Sequence, residues 1–274
     1  MKHILVPTDF STNAEHAIKY AVIIGKKFKA KITLLHAWMP DADQIVAWTT
    51  GEAEFVFKNK IEKKLLVLCA KYNKLYKLEF DFVARQANLT TFINETARKM
   101  KVDLVVMGTK GSGKIKNRIF GSNAARMIEK APCPLIVVPA KAELKAPRKI
   151  IFATDYYKND LRNIKSLVKF GTNFHANIDV LHVSEPFDAD TEKLFLQPFA
   201  KQVVKSTGYK KLSFKVVTGT NVTTTLENYA KVHKANMLAM VTAQRTLFER
   251  LFVWSTTKKM SYHSRYPIFI FHQD

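Results

Sequence analysis

Residues 108–123 read GTKGSGKIKNRIFGSN and combine the ingredients of an anion site. Gly108, Gly111 and Gly121 can turn with positive φ and bring bare backbone close to a ligand. Ser122 and Asn123 stand where a helix should start, and the free N–H groups of a helix start favour phosphate or another anion. Lys110, Lys114, Lys116 and Arg118 make the loop cationic, which suits a polyphosphate better than a neutral metabolite. A surface turn whose glycines merely reverse the chain is the other reading of this segment. GTKGSGK is one residue short of a P-loop, and Ile115 stands where that loop needs a magnesium-binding Ser or Thr. A P-loop ATPase or kinase is therefore not expected.

Other side chains with chemical potential are sparse. Asp9 closes the apolar run HILVP and is the one carboxylate placed near the loop. His36 could act as a base, but a histidine at a strand end followed by Ala37 fits a packed ring donating to backbone. Asp41 and Asp43 read as a solvated turn. Cys69 and Cys133 fall in a helical pattern and before a strand, as buried thiols rather than a disulfide. No Cys/His spacing suggests zinc. The sequence thus nominates no catalytic residue and no protein metal site, and slow ATP hydrolysis or phosphotransfer stays a secondary expectation.

The elements around these residues are written twice. HILVPTDFS at 3–11 is echoed by IIFATDYY at 150–157, and ITLLHAW at 32–38 by IDVLHVS at 178–184. Asp9 thus corresponds to Asp155 and His36 to His182. Residues 103–139 align without a gap on 236–272, where Gly108 becomes Val241, Gly111 becomes Gln244 and Gly121 becomes Trp254, while Ser122 keeps its counterpart Ser255. A repeat of this length is one globular domain, so two tandem domains are expected, 1–141 and 148–274, joined by the charged stretch AKAELKAP. The first keeps the glycines and is the nucleotide-binding candidate. The second is degenerate.

Each half alternates short apolar runs with helical patterns, the signature of an α/β, doubly wound, five-stranded parallel sheet. Strands are expected at 3–8, 31–37, 77–84, 102–107 and 134–138, and again at 149–154, 177–183, 212–217, 236–241 and 268–271. Helices are expected at about 52–73, 90–100 and 122–130, and a first helix follows the capping residues Ser11, Thr12 and Asn13. If the strand order is 3-2-1-4-5, the ends of strands one and four meet at the switch point. Asp9, the glycine loop and Ala37, just past strand two, would surround one crevice there. PLIVVP and PIFIFH, the last strands of the halves, are candidates for a pseudo-twofold contact between them.

The charge is lopsided: 44 Lys and Arg against 23 Asp and Glu give a formal +21. Both halves share the excess, which attracts nucleic acid, anionic lipid or phosphorylated partners. Many of the lysines, as in KNKIEKK at 58–64, fall at helical spacing on what reads as a solvated face, without the interleaved aromatics of a stacking platform. Nucleic-acid binding is not the favoured reading. No apolar run approaches the length of a membrane span, and no leader pattern precedes the first strand, so membrane insertion is not expected and the cytoplasm is the expected compartment.

Gly108, Gly111 and the pair Gly121 and Ser122 resemble the glycine motif of the ATP-binding branch of the universal stress protein family. VPTDFS at 6–11, LLHAW at 34–38 and APCPLIVVP at 131–139 match its other landmarks, and the resemblance spans both halves as a tandem member with an adenine nucleotide alpha hydrolase-like, Rossmann-like fold. It implies that Asp9 and Ala37 line the adenine and ribose side, with Met107 nearby. Gly108, Gly111, Gly121, Ser122 and Asn123 would hold ribose and phosphates, joined by Pro7 and Thr8 of the first motif and Lys114 of the loop. ATP or another adenine nucleotide is the implied cofactor, with Mg2+ on its phosphates. The implied role is a stress-response protein whose nucleotide gates binding of a protein partner, with further homodimerisation open. A nucleotide-independent basic scaffold is the alternative.

Overall fold

The computed structural model describes residues 1–40, 52–109, 121–155, 160–185, 189–241 and 265–272. Gly111, Lys114 and the other loop cations lie outside them, as do Asp41, Asp43, Gln244, Trp254 and Ser255. The chain divides into two units, Met1–Ala140 and Lys141–Asp274, with the boundary inside the charged stretch read as a linker.

In the first unit, β1 (His3–Pro7), β2 (Lys31–Trp38), β3 (Phe80–Gln86), β4 (Leu104–Gly108) and β5 (Leu135–Val138) form a parallel sheet in the order β3-β2-β1-β4-β5. Ile4, Leu5, Val6, Leu104, Val105 and Val106 are fully buried. Runs of consecutive buried apolar residues are what a parallel sheet covered on both faces requires. Among the described residues four helices fill the connections: α1 (Thr12–Phe28), α2 (Glu52–Tyr76), α3 (Leu89–Lys99) and α4 (Ser122–Lys130).

Local chemistry fixes where these elements start and stop. Ser11 is the α1 N-cap, its Oγ accepting from the Ala14 N–H at 3.2 Å, so of the three candidate caps only the first acts. Asn88 caps α3, its Oδ1 accepting from the Thr90 and Thr91 amides. β3 begins at Phe80 rather than at 77. Lys77 takes the left-handed conformation, φ 54°, and its N–H bonds to the Asn73 carbonyl, which extends the end of α2 and delays the strand.

The second unit repeats the design with β6 (Lys149–Ala153), β7 (Asn177–Ser184), β8 (Leu212–Thr218), β9 (Met237–Val241) and β10 (Ile268–Phe271), in the order β10-β9-β6-β7-β8. Its described helices are α5 (Asp160–Thr172), α6 (Ala189–Thr207) and α7 (Val222–Val232). Gly25 of α1 and Gly171 of α5 occupy the same place in the repeat. A Cβ there would stand 3.1 Å from Ile32 Cδ1 in one and 3.1 Å from Ile178 Cδ1 in the other. Glycines that let a helix lie close on its sheet are thus kept in both units.

Candidate functional site

β1 and β4 are neighbours, paired Ile4 to Leu104 and Leu5 to Val105, while the chain leaves β1 toward β2 on the other side. Strand order reverses here, and the carboxyl ends of these two strands open the crevice in which such sheets bind ligands. Pro7, Thr8 and Asp9 come from the end of β1, and Met107 and Gly108 from the end of β4. Gly121, Ser122 and Asn123 return at the head of α4. The described members of the predicted set therefore converge from three elements on one end of the sheet. Ala37 lies inside β2 rather than past it, paired with Arg85 of β3, because β2 continues through Trp38.

The β1–α1 turn is held by its own side chains. The Thr8 N–H donates to the Leu35 carbonyl at 2.8 Å, the Thr8 Oγ1 accepts from the Phe10 N–H at 3.1 Å, and Asp9 Oδ1 accepts from the Ser11 N–H at 3.0 Å. Between them Phe10 adopts φ 63°, a left-handed conformation that costs a non-glycine residue about 1 kcal/mol or more. Its ring lies 4.8 Å from the His36 ring, with the Lys64 ammonium 5.5 Å over it.

His36 is buried and places Nδ1 2.8 Å from the Thr8 carbonyl. A carbonyl only accepts, so Nδ1 carries the proton and the ring pins β2 to the β1 turn. Burial pulls the pKa of His36 below its ordinary value; the Thr8 bond and Asp9 act against this, and Lys64 acts with it. The ring is thus held neutral, as the packed-histidine reading expects. His182 repeats the bond to the Thr154 carbonyl at 2.8 Å. Beyond His36, Trp38 stacks at 6.0 Å, and its buried Nε1 has no hydrogen-bond partner among the described residues.

Gly108 has a reason the sequence does not reveal. A Cβ on it would meet the Asn13 carbonyl oxygen at 3.1 Å and its carbon at 3.4 Å, which is backbone of the first turn of α1. The glycine allows strand and helix start to touch, so its first partner is the protein itself. Gly121 donates to the Thr109 carbonyl at 2.8 Å and serves as N-cap of α4 with φ −64° and no side-chain cap bond. The α4 start consequently offers first-turn amides that no cap side chain covers.

The second unit differs in charge as well as in glycines. Val241, at the Gly108 position, is buried. His182 lies 3.6 Å from Asp155 Oδ1 and 3.5 Å from Glu192 Oε2, so two carboxylates flank this ring, where its counterpart His36 has one, Asp9, and the Lys64 cation nearby. Asn13, Lys64 and Glu192 were not legible as site residues, because each reaches the crevice through helix packing rather than through a motif.

The family model for the universal stress protein family matches residues 1–139 and again 147–272. The chain belongs to the universal stress protein family. A universal stress protein of Thermus aquaticus is 28% identical over 139 residues, 50% of this chain and 98% of the relative. One from Methanocaldococcus jannaschii is 28% identical over 140 residues, again 50% of this chain and 81% of the relative. These relatives correspond to one half of the tandem. The crystal structure of a universal stress protein from Archaeoglobus fulgidus covers 99% of this chain and 98% of its own, with a TM-score of 0.64 at 16% identity, a likeness of fold. Both halves of this chain are thus universal stress protein domains. The first has the glycine-bearing crevice.

Proposed function

We propose that the first unit binds one adenine nucleotide, ATP above all, and that the occupied loop at 110–120 alters the surface offered to a protein partner in a stress response. The observation that carries this reading is the α4 start. It presents amides without a side-chain cap at the strand-order switch point, beside Thr8, Asp9 and Gly108. That donor set fits phosphate, Lys64 adds a cation to the same end, and Asp9 is the adjacent carboxylate for a ribose hydroxyl or a cation. Ser122 and Asn123, with Gly111 and Lys114, would complete the phosphate side. Mg2+, when bound, would neutralise phosphate charge. A ligand shifts the loop only through differential affinity for its two states. In the second unit, Asp155 is kept but buried Val241 replaces Gly108 and the Glu192 carboxylate lies beside His182, both of which oppose a phosphate, so we assign that unit a structural role.

The test is release of nucleotide from freshly purified protein by denaturation, with calorimetric titration of the emptied protein by ATP and magnesium. About one adenine nucleotide per chain, absent from Gly121→Trp while circular dichroism is unchanged, is the expected result. No nucleotide, no heat and an unchanged melting temperature would overturn the reading and leave the basic surface as the working part.

A further inference from the structure

Helix α2 carries apolar residues on two sides. Toward the sheet it buries Ile61, Leu65, Cys69 and Tyr72. On the opposite side Val56, Lys60, Lys63, Val67 and Lys74 follow at helical spacing, all exposed, with Phe55 and Leu66 along one margin and Lys64 and Lys71 along the other. Phe55 and Val56 are each 65% exposed, Leu66 and Val67 each 61%. A helix that has already buried its core stripe gains nothing in folding from Phe and Leu on its outer side.

The second unit does the same. Helix α6 buries Leu196 and Val203 and turns Leu194, Phe195 and Val204 outward, at 69%, 61% and 48% exposure, beside exposed Lys201 and Lys205. The two units have diverged at the glycine loop, yet both hold an outward helix face of apolar residues interleaved with lysine. Among the described side chains neither outward face carries a carboxylate. Glu62, at the margin of α2, is paired with Lys58, and Glu192 of α6 faces His182.

We propose that the outward face of α2, and independently that of α6, docks its own unit on the surface of an anionic lipid bilayer. The occupant has to accept Phe55, Leu66, Val67, Leu194 and Phe195 while answering an excess of lysine. A protein partner matches this poorly, since lysine is depleted from interface cores. A nucleic acid answers the lysines through its phosphates but offers the aliphatic Leu66, Val67 and Leu194 no partner. A bilayer does both: apolar side chains enter the headgroup–acyl boundary, and lysines reach lipid phosphates on flexible stems. The formal charge of +21 adds attraction to an anionic leaflet. No described helix is long and apolar enough to cross a membrane, so the contact is peripheral.

Flotation of the full chain with vesicles tests the assignment, using phosphatidylcholine alone against an equal mixture of phosphatidylcholine and phosphatidylglycerol. The protein should float with the mixed vesicles only and be released by high salt. The triple change Lys60→Glu, Lys63→Glu and Lys74→Glu should lower the bound fraction about tenfold. Phe55→Ser, Leu66→Ser and Val67→Ser together should lower it several-fold with an unchanged circular dichroism spectrum, because all three side chains are exposed. Binding that survives these changes combined with Leu194→Ser, Phe195→Ser and Val204→Ser in α6 would reduce the attraction to charge alone and overturn the proposal. Absence of flotation would overturn it too, and a chain that sediments as a dimer made monomeric by the serine changes would assign the face to a second copy.

Discussion

Glu192 Oε2 lies 3.5 Å from His182 Nε2, whereas the Lys64 ammonium is the charge that helix α2 brings near the equivalent His36. The two rings make the same backbone bond and each has the strand-end carboxylate nearby, Asp9 or Asp155, so what differs is the second charge, a cation in one unit and a carboxylate in the other. Phosphate would be drawn to one crevice and repelled by the other. Lys64→Glu should therefore weaken ATP binding about fivefold, ~1 kcal/mol for an exposed charge in salt. The melting temperature should hardly move. Calorimetric titration at two ionic strengths checks this, and an affinity indifferent to the change would remove Lys64 from the site.

Gly108 touches Asn13, and that contact separates a packing role from a ligand role. Gly108→Ala places a methyl 3.1 Å from a backbone oxygen that cannot rotate away. The start of α1 must shift from β4, and the overpacking should cost about 1–3 kcal/mol of stability. Thermal unfolding without nucleotide reads this directly. A variant as stable as the parent but weaker for ATP would mean that the glycine serves only the ligand.

Much of this architecture was legible because a parallel sheet writes itself as short, fully apolar runs. Both sets of five strands fell within a few residues of their observed limits. The errors have local causes: Lys77 enters the left-handed region and delays β3, and β2 runs one residue beyond its expected end, through Trp38, so Ala37 is paired inside the strand rather than just past it. The glycine loop was legible by composition, and Gly121 and Ser122 do stand at a helix start. What sequence could not give is the partner of each residue across space. Asn13 read as a cap and is instead the wall that requires Gly108. Lys64 read as one of many solvated lysines and lies by Phe10 and His36.

Asp179 is buried on β7 and accepts from the Lys149 ammonium at 2.5 Å, from Ser213 Oγ at 2.6 Å and from Tyr229 OH at 3.2 Å. Burial alone would raise its pKa, but these donors outweigh it and the carboxyl is held below its usual range. The unfolded chain therefore takes up the proton first. The stabilisation is complete above the ordinary carboxylate pKa of about 3.9 and fades as pH falls through the lower folded value. Asp179→Asn should cost about 3 kcal/mol at neutral pH, since Lys149 loses its counter-charge in a mostly enclosed site. Denaturant unfolding at pH 7 and pH 3 should show the gap between parent and variant narrowing in acid. A gap of constant size would contradict the assignment.

His36 gives the opposite chemistry a similar sign. Burial lowers its pKa below the ordinary 6.5, so here too the unfolded chain binds the proton first. Stability contributed by the neutral ring is complete above about pH 6.5, is lost progressively as pH falls toward the folded pKa, and is constant below it. One proton limits the slope to about 1.4 kcal/mol per pH unit. His36→Phe keeps the bulk beside Phe10 and Trp38 but removes the donor to the Thr8 carbonyl. It should therefore cost about 1–3 kcal/mol at pH 7.5 through the unpaired acceptor. Because the variant has no proton to bind at this position, its stability should fall less than the parent's between pH 7.5 and 5.5. Parallel urea titrations at the two pH values measure both effects, and proton resonances of the ring should report a midpoint below 6.5. An identical pH dependence in parent and variant would show that the ring is free to charge in the folded state. The bond to Thr8 survives protonation of the ring and is tested by the cost at pH 7.5 instead: a His36→Phe variant as stable as the parent there would remove it from what fixes the β1 turn beneath the crevice.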